Sequence, residues 1–285
     1  MASRAVVAEV PPLTLAMLRY AIGLLCLLPF IFEPFGPLKP DSKACAAIKR
    51  VAWQDLTAMA ALGLGQFALL IALLNYGLQH VGAAQAALIF SLFPLLTLLL
   101  SAALGREAIS ARLVLGVLAS IGGVALSLAP KLGATSVGHW WGELAVLASA
   151  GVGAICSVFY RPYLHRYPTL NVSAFAMLVS VLALALLALP EDWPRLVSAM
   201  RAQAWATVAF IGASSGVGYC LWLYALKHES PTRVTIFLAL NPLTAALLGS
   251  LLLGEAFNAW LLAALMATAL GLWLATHAAA PVRKR

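Results

Sequence analysis

Tyr76-Gly77-Leu78-Gln79-His80 returns 148 residues later as Tyr224-Ala225-Leu226-Lys227-His228. The same offset, without a gap, superposes Pro94 on Pro242, Glu107 on Glu255, Ala108 on Ala256 and Gly123 on Gly271. Shared leucines mean little in so apolar a chain, but matched Tyr, His, Pro, Glu and Gly do. A match at one fixed offset reads as a duplicated structural unit. Composition says what kind of unit it is. Of the 285 residues, 63% are hydrophobic and 10% charged, against roughly 25% charged in a soluble domain. Such a chain cannot cover a water-facing surface, so lipid is its solvent. In lipid the backbone must satisfy its own hydrogen bonds, so each apolar run is expected to be a helix.

A span needs about 20 residues. The apolar runs place spans near 11–32, 55–78, 84–104, 112–130, 140–160, 169–189, 204–226, 232–253 and 259–278. With the 33–54 loop in the cytoplasm and sides alternating, thirteen basic loop residues fall inside and three (Lys131, Arg195 and Arg201) outside. The positive-inside rule therefore puts the C-terminus in the cytoplasm. Five crossings separate equivalent points of the two copies, an odd number, so the second copy is inverted relative to the first. Inverted repeats recur in secondary transporters, with the site near the midplane between the halves. A duplicated scaffold without transport is the alternative.

A second echo, Ala176-Met177-Leu178 against Ala16-Met17-Leu18 at an offset of 160, pairs the spans at 169–189 and 11–32. The span at 140–160 then has no partner, and Met1 to Glu9 reads as the tail of a missing first helix. The expected fold is thus an all-α membrane protein. It is an inverted repeat of five-helix halves, residues 1–130 and 131–285, with nine complete transmembrane helices plus an N-terminal stub.

The net charge of +8 comes from basic residues in short loops, a topology signal rather than a nucleic-acid patch. Cys26, Cys45, Cys156 and Cys220 form no CxxC pair, which argues against a disulfide framework or a zinc site. The chain holds no GxxxxGK[ST] phosphate loop or HExxH motif, and its GxSxG string, Gly212-Ala213-Ser214-Ser215-Gly216, lies inside an apolar helical run rather than on a strand-to-helix elbow, so no cofactor, metal or enzymatic chemistry is expected.

Several segments resemble the drug/metabolite transporter superfamily, in particular its EamA-type ten-helix exporters. Pro11-Pro12-Leu13-Thr14-Leu15-Ala16-Met17-Leu18-Arg19-Tyr20 is similar to the family's second helix. Ala87 to Glu107, with Pro94 central, resembles its fourth helix. Trp141-Gly142-Glu143-Leu144-Ala145 resembles the start of the sixth, and Leu240-Asn241-Pro242-Leu243 through Glu255 the ninth. The Trp-Gly segment usual in the family's first helix is missing, and Val152-Gly153-Ala154 stands where a Trp-Ala pair is common. The resemblance implies export of small metabolites, such as amino acids, nucleosides or drug-like amphiphiles, across the inner (plasma) membrane by alternating access. Its partners would be a small-molecule substrate and the bilayer. A non-transporting membrane subunit derived from a transporter is the competing reading.

Polar groups inside lipid are costly and are functional candidates by default. Gln66, Asn75 and Tyr76 in the span at 55–78 are candidate substrate contacts, or packing contacts between helices. Gln66, Leu70 and Leu73 share one helical face, with Asn75 off it. Ser91 and Asn241 stand beside Pro94 and Pro242, the matched prolines, each of which removes a donor and frees a carbonyl one turn earlier. Tyr219 and Trp222, three apart, offer an aromatic wall, and Gln85 a contact in an outer vestibule. Arg19 is a cation within the bilayer that pairs with Glu9 or contacts an anion. Glu107 and Glu255 end equivalent helices as turn caps or gate contacts. No carboxylate lies at mid-membrane depth, so a coupling ion stays open, as does the oligomeric state.

Overall fold

The computed structural model describes residues 10–32, 52–81, 83–107, 109–132, 140–241, 243–244 and 259–277. Among them the chain is helical, with no strand. The helices are α1 (Pro12–Phe32), α2 (Trp53–His80), α3 (Ala83–Phe90), α4 (Phe93–Ala103), α5 (Ala111–Leu132) and α6 (Trp140–Arg166). They continue as α7 (Thr169–Leu187), α8 (Trp193–Ala199), α9 (Ala202–His228), α10 (Pro231–Thr235) and α11 (Ala259–His277). Six spans among the described residues are long and apolar enough to cross a membrane: Pro12–Pro29, Trp53–His80, Ala86–Ala103, Trp140–Arg166, Thr169–Leu187 and Ala202–His228. Ala111–Leu126 and Leu262–Ala275 are shorter apolar helices. Large apolar side chains face outward, with Leu186 and Phe210 each 69% exposed, as befits a protein whose solvent is hydrocarbon.

Two expected spans differ in kind. The run at 84–104 is broken into α3 and α4, and the span expected at 140–160 continues to Arg166. The expected span at 232–253 is described only over 232–241 and 243–244, where it begins as α10 and a 3-10 turn, Ile236–Ala239.

Two compact units make up the molecule. The first comprises Met1–Ala72 and Phe159–His228, the second Leu73–Val158 and Glu229–Arg285. Each unit thus takes helices from both sequence repeats.

In the first unit, α1 opens on Pro12, where a missing N–H costs nothing. The next free donors, Leu13 N–H and Thr14 N–H, go to the Glu191 carboxylate at 3.3 and 2.7 Å, and Thr14 Oγ1 donates to it at 2.6 Å. An acid at a helix start also suits the helix dipole. At the other end of α7, Asp55 accepts from Tyr167 OH at 2.7 Å and pairs with Arg166 at 3.4 Å. Helix α2 contains a π-helical stretch, Leu64–Leu69. Its extra residue disturbs the regular hydrogen-bond ladder, and Ser180 Oγ of α7 lies 2.9 Å from Gly63 O, just before the stretch. Only a glycine permits this approach: a Cβ at Gly63 would stand 2.8 Å from Ala176 O.

In the second unit, α5 packs on α11 through a reciprocal contact. A side chain on Gly123 would strike Thr268 Oγ1 and lie 2.9 Å from Ala264 O. A side chain on Gly271 would strike Ser120 Oγ and lie 2.7 Å from Gly116 O. The 148-residue offset maps Gly116, Ser120 and Gly123 onto Ala264, Thr268 and Gly271. Each helix therefore presents the same patch to the other, the mark of a two-fold interface, here between the two repeats of one chain. Small residues let such helices touch along their backbones.

Candidate functional site

Helices α3 and α4 are separated by Ser91-Leu92, and Pro94 sits in the first turn of α4. Pro94 has no N–H for the Phe90 carbonyl, and its ring would collide with that carbonyl in a continuous helix. The backbone tightens instead. Ser91 N–H is shared between Ala87 O at 3.0 Å and Leu88 O at 3.2 Å, and Leu92 N–H donates to Ile89 O at 3.1 Å, a passage from α to 3-10 spacing. Ser91 Oγ donates to Leu88 O at 2.6 Å. The second repeat tightens at the equivalent place, because residues 88–91 map onto the 3-10 turn Ile236–Ala239.

A cleft of about 300 Å³ lies where these segments meet, lined by Ala87, Phe90, Ser91, Pro94, Val124, Leu238, Ala239 and Asn241. Phe90 and Leu238 are repeat equivalents, as are Ser91 and Ala239. The walls are apolar, and Ser91 and Asn241 supply polar atoms. Asn241 is exposed, and its carbonyl accepts from Thr244 Oγ1 at 3.0 Å. An apolar hollow with a few placed polar groups is the usual form of a small-molecule site.

The first unit carries a different constellation. Arg19 Nη2 donates to Tyr20 OH, and its guanidinium lies 4.5 Å from the Tyr20 ring centroid. The Tyr20 ring stands 4.4 Å from Phe67, Phe67 stands 4.4 Å from Tyr219, and Tyr219 stands 6.5 Å from Tyr160. All four rings are buried, and they join α1, α2, α9 and α6. Gln66, beside Phe67 in the π-helical stretch, has a buried Oε1 without a partner among the described residues.

Of the residues singled out in the sequence, Ser91, Pro94 and Asn241 thus come together in the cleft. Arg19 and Tyr219 join the aromatic row, with Gln66 adjacent in sequence to its Phe67. Trp222 is half-buried one turn from Tyr219, and Asn75 is half-buried in α2. Because Gln66 lies inside the π-helical stretch, the regular 3.6-residue face expected for Gln66, Leu70 and Leu73 is shifted. Tyr76 is exposed and its ring lies tilted against His80 at 4.5 Å, with the His80 Nδ1 2.9 Å from its carbonyl oxygen. Tyr224 and His228, the repeat equivalents, do the same at 4.2 and 2.9 Å.

Glu107 does more than cap its own turn. Gly105, at φ 64°, ends α4 in the left-handed conformation, and Arg106 N–H returns to Ser101 O at 2.9 Å, a glycine-terminated helix end. The chain then presents Glu107 to Ser230 Oγ and Thr232 Oγ1, each donating at 2.7 Å. The side chain of Gln85, and Pro242 and Glu255 altogether, lie outside the described residues. Among the described residues no cluster of His, Cys, Asp and Glu could hold a metal.

Phe90, Leu238 and Ala239 were not singled out, although a carbonyl freed one turn before each matched proline points to 90 and 238. Tyr20, Phe67 and Tyr160 carried no signal beyond being aromatic in apolar runs.

The family model for EamA-like transporters matches residues 1–129 and again residues 140–276. The chain belongs to the EamA-like transporter family. It is a multi-pass membrane transporter, and its two matched segments are the two repeats. It is similar to an uncharacterized transporter of Archaeoglobus fulgidus, at 28% identity over 73% of this chain and 72% of that one. It is also similar to a protein of Streptantibioticus cattleyicolor named "probable terminal-alkyne amino-acid exporter", at 29% identity over 73% and 69% of the two chains. A solved structure named only as a crystal structure of a protein superposes with a TM-score of 0.77. It covers 96% of this chain and 90% of its own at 22% identity, a likeness of fold.

Proposed function

We propose that this EamA-family member exports small metabolites, among amino acids, nucleosides and drug-like amphiphiles, across the inner membrane by alternating access. The moving parts are the inverted halves 1–130 and 131–285, and the excess of basic residues in alternate loops supports a cytoplasmic C-terminus. The observation that carries the reading is the cleft at the α3–α4 break. It is lined by equivalent residues of both repeats, Phe90 with Leu238 and Ser91 with Ala239. A pseudo-symmetric hollow at the proline-tightened segments is what two rocking repeats need at their pivot. The name of the Streptantibioticus cattleyicolor relative supports amino acids within that range.

In this reading Ser91 and Asn241 contact substrate from the cleft. Gln66, Asn75, Tyr76, Tyr219 and Trp222 line other parts of the path, and Pro94 serves as a bending point. Roles for Gln85, Pro242 and Glu255 rest on the sequence alone. Glu107 is a gate contact that ties the end of α4 to the start of α10. The 148-residue offset maps Ser230 and Thr232 onto Gly82 and Ala84, which have no hydroxyl, so the sequence offers Glu255 no matching partners. The gate is therefore asymmetric, and closure on the Glu107 side is favoured. Efflux from proteoliposomes holding the purified chain tests the function. Saturable flux of a metabolite, reduced about tenfold or more by Ala87→Leu in the cleft with thermal stability kept, is the expected result. No flux of any amino acid, nucleoside or cationic dye above protein-free vesicles would sink it.

A further inference from the structure

Arg19 stands seven residues into α1, about 10 Å along the helix from Pro12. Its Nε is buried and has no partner among the described residues. No described carboxylate lies within ion-pairing distance of it. The Tyr20 hydroxyl and the Tyr20 ring, which it does contact, are neutral. They accept a hydrogen bond and polarise, but neither cancels a unit charge. A guanidinium inside lipid is costly without an anion beside it. One of its N–H groups is held by Tyr20, which fixes the plane of the fork and leaves Nε–H free to donate. Planar forks of this kind suit carboxylates. The buried rings of Phe67 and Tyr219 continue from Tyr20.

We propose that Arg19, oriented by Tyr20, binds the carboxylate of the transported solute, whose apolar or aromatic body lies along Phe67 and Tyr219. The rings touch one another in this structure, so the solute takes the place of one of those contacts. This rests on the transporter reading and narrows it to anionic or zwitterionic carboxylates. Cationic dyes and neutral nucleosides lack the group that Arg19 requires.

The test is thermal stabilisation of the full purified chain by matched pairs: L-phenylalanine against L-phenylalaninamide, and phenylacetate against phenylacetamide. The acids are expected to raise the melting temperature and the amides to leave it unchanged. Arg19→Lys keeps the charge and loses the fork, and is expected to weaken the acids about tenfold or more. Tyr20→Phe keeps the ring and is expected to weaken them less. Glu9→Gln is expected to leave the acid response intact. Amides as effective as acids would overturn the site, as would an Arg19→Lys protein with wild-type response. A Glu9→Gln protein that responds to the acids about tenfold more strongly than the wild type would assign the cation to an internal pair with Glu9 and overturn it too. Flux measured on the same preparations separates the two claims. Transport of uncharged or cationic solutes with no effect of any carboxylate removes the anion site and leaves the transporter standing. Stabilisation by acids alone, without flux of any solute, supports the site and removes the transporter reading.

Discussion

Glu107 shows how a single side chain is placed by its neighbours in sequence. Gly105 turns the chain, and the acid two residues later meets two hydroxyls more than 120 residues away. Bonds to a charged acceptor are worth more than neutral ones, and truncation leaves both hydroxyls without their acceptor. Glu107→Ala is expected to lower stability by about 2–3 kcal/mol, with Glu107→Gln intermediate, as read by thermal unfolding in detergent. Tyr167, at the turn between α6 and α7, gives a pH dependence. Its hydroxyl donates to Asp55, which holds its pKa above the usual 10.0, and burial and the Asp55 charge act in the same direction. The protonated phenol is thus favoured in the folded state. The sign follows: this contribution is fully present below pH 10 and is lost as the pH rises through the folded value. Tyr167→Phe is expected to remove the alkaline fall in melting temperature that this group causes, while Trp193→Phe, at a distant indole, keeps it.

At the scale of elements, the α5–α11 crossing and the α3–α4 break are the two features that the repeat makes in duplicate. Gly123→Ala and Gly271→Ala each force a Cβ into the facing helix, and overpacking of this kind costs about 1–3 kcal/mol. Gly122→Ala, one residue along and facing open space, is expected to be close to neutral. Equal losses at Gly122 and Gly123 would contradict the two-fold crossing. Pro94→Ala returns a donor to the Phe90 carbonyl. It is expected to keep or raise thermal stability while cutting flux, since the break that shapes the cleft is then no longer imposed. Much of this was legible in the sequence. The matched glycines mark the crossing and the matched prolines mark the break, because glycine and proline act on the backbone itself. The π-helical stretch was not legible, since an inserted residue leaves the apolar run as apolar as before. Nor was the aromatic row, because which rings meet depends on how α1, α2, α6 and α9 are laid together. The reach of Glu191 to the start of α1 is long-range for the same reason, as no local pattern links residues 14 and 191.

At the scale of the molecule, the repeats and the compact units divide the chain differently. The repeats follow sequence, matched over 1–129 and 140–276, whereas each unit draws helices from both. Helices α2 and α6 each begin in one unit and end in the other, so neither repeat carries a unit by itself. The deciding measurement does not require the substrate to be known. Ser91→Cys, in a chain whose Cys26, Cys45, Cys156 and Cys220 are replaced by alanine, places one thiol in the cleft. A membrane-impermeant thiol reagent is then applied to right-side-out and to inside-out vesicles. Alternating access predicts labelling of residue 91 from both sides of the membrane. Labelling from one side only, or from neither while the denatured protein labels fully, would contradict it.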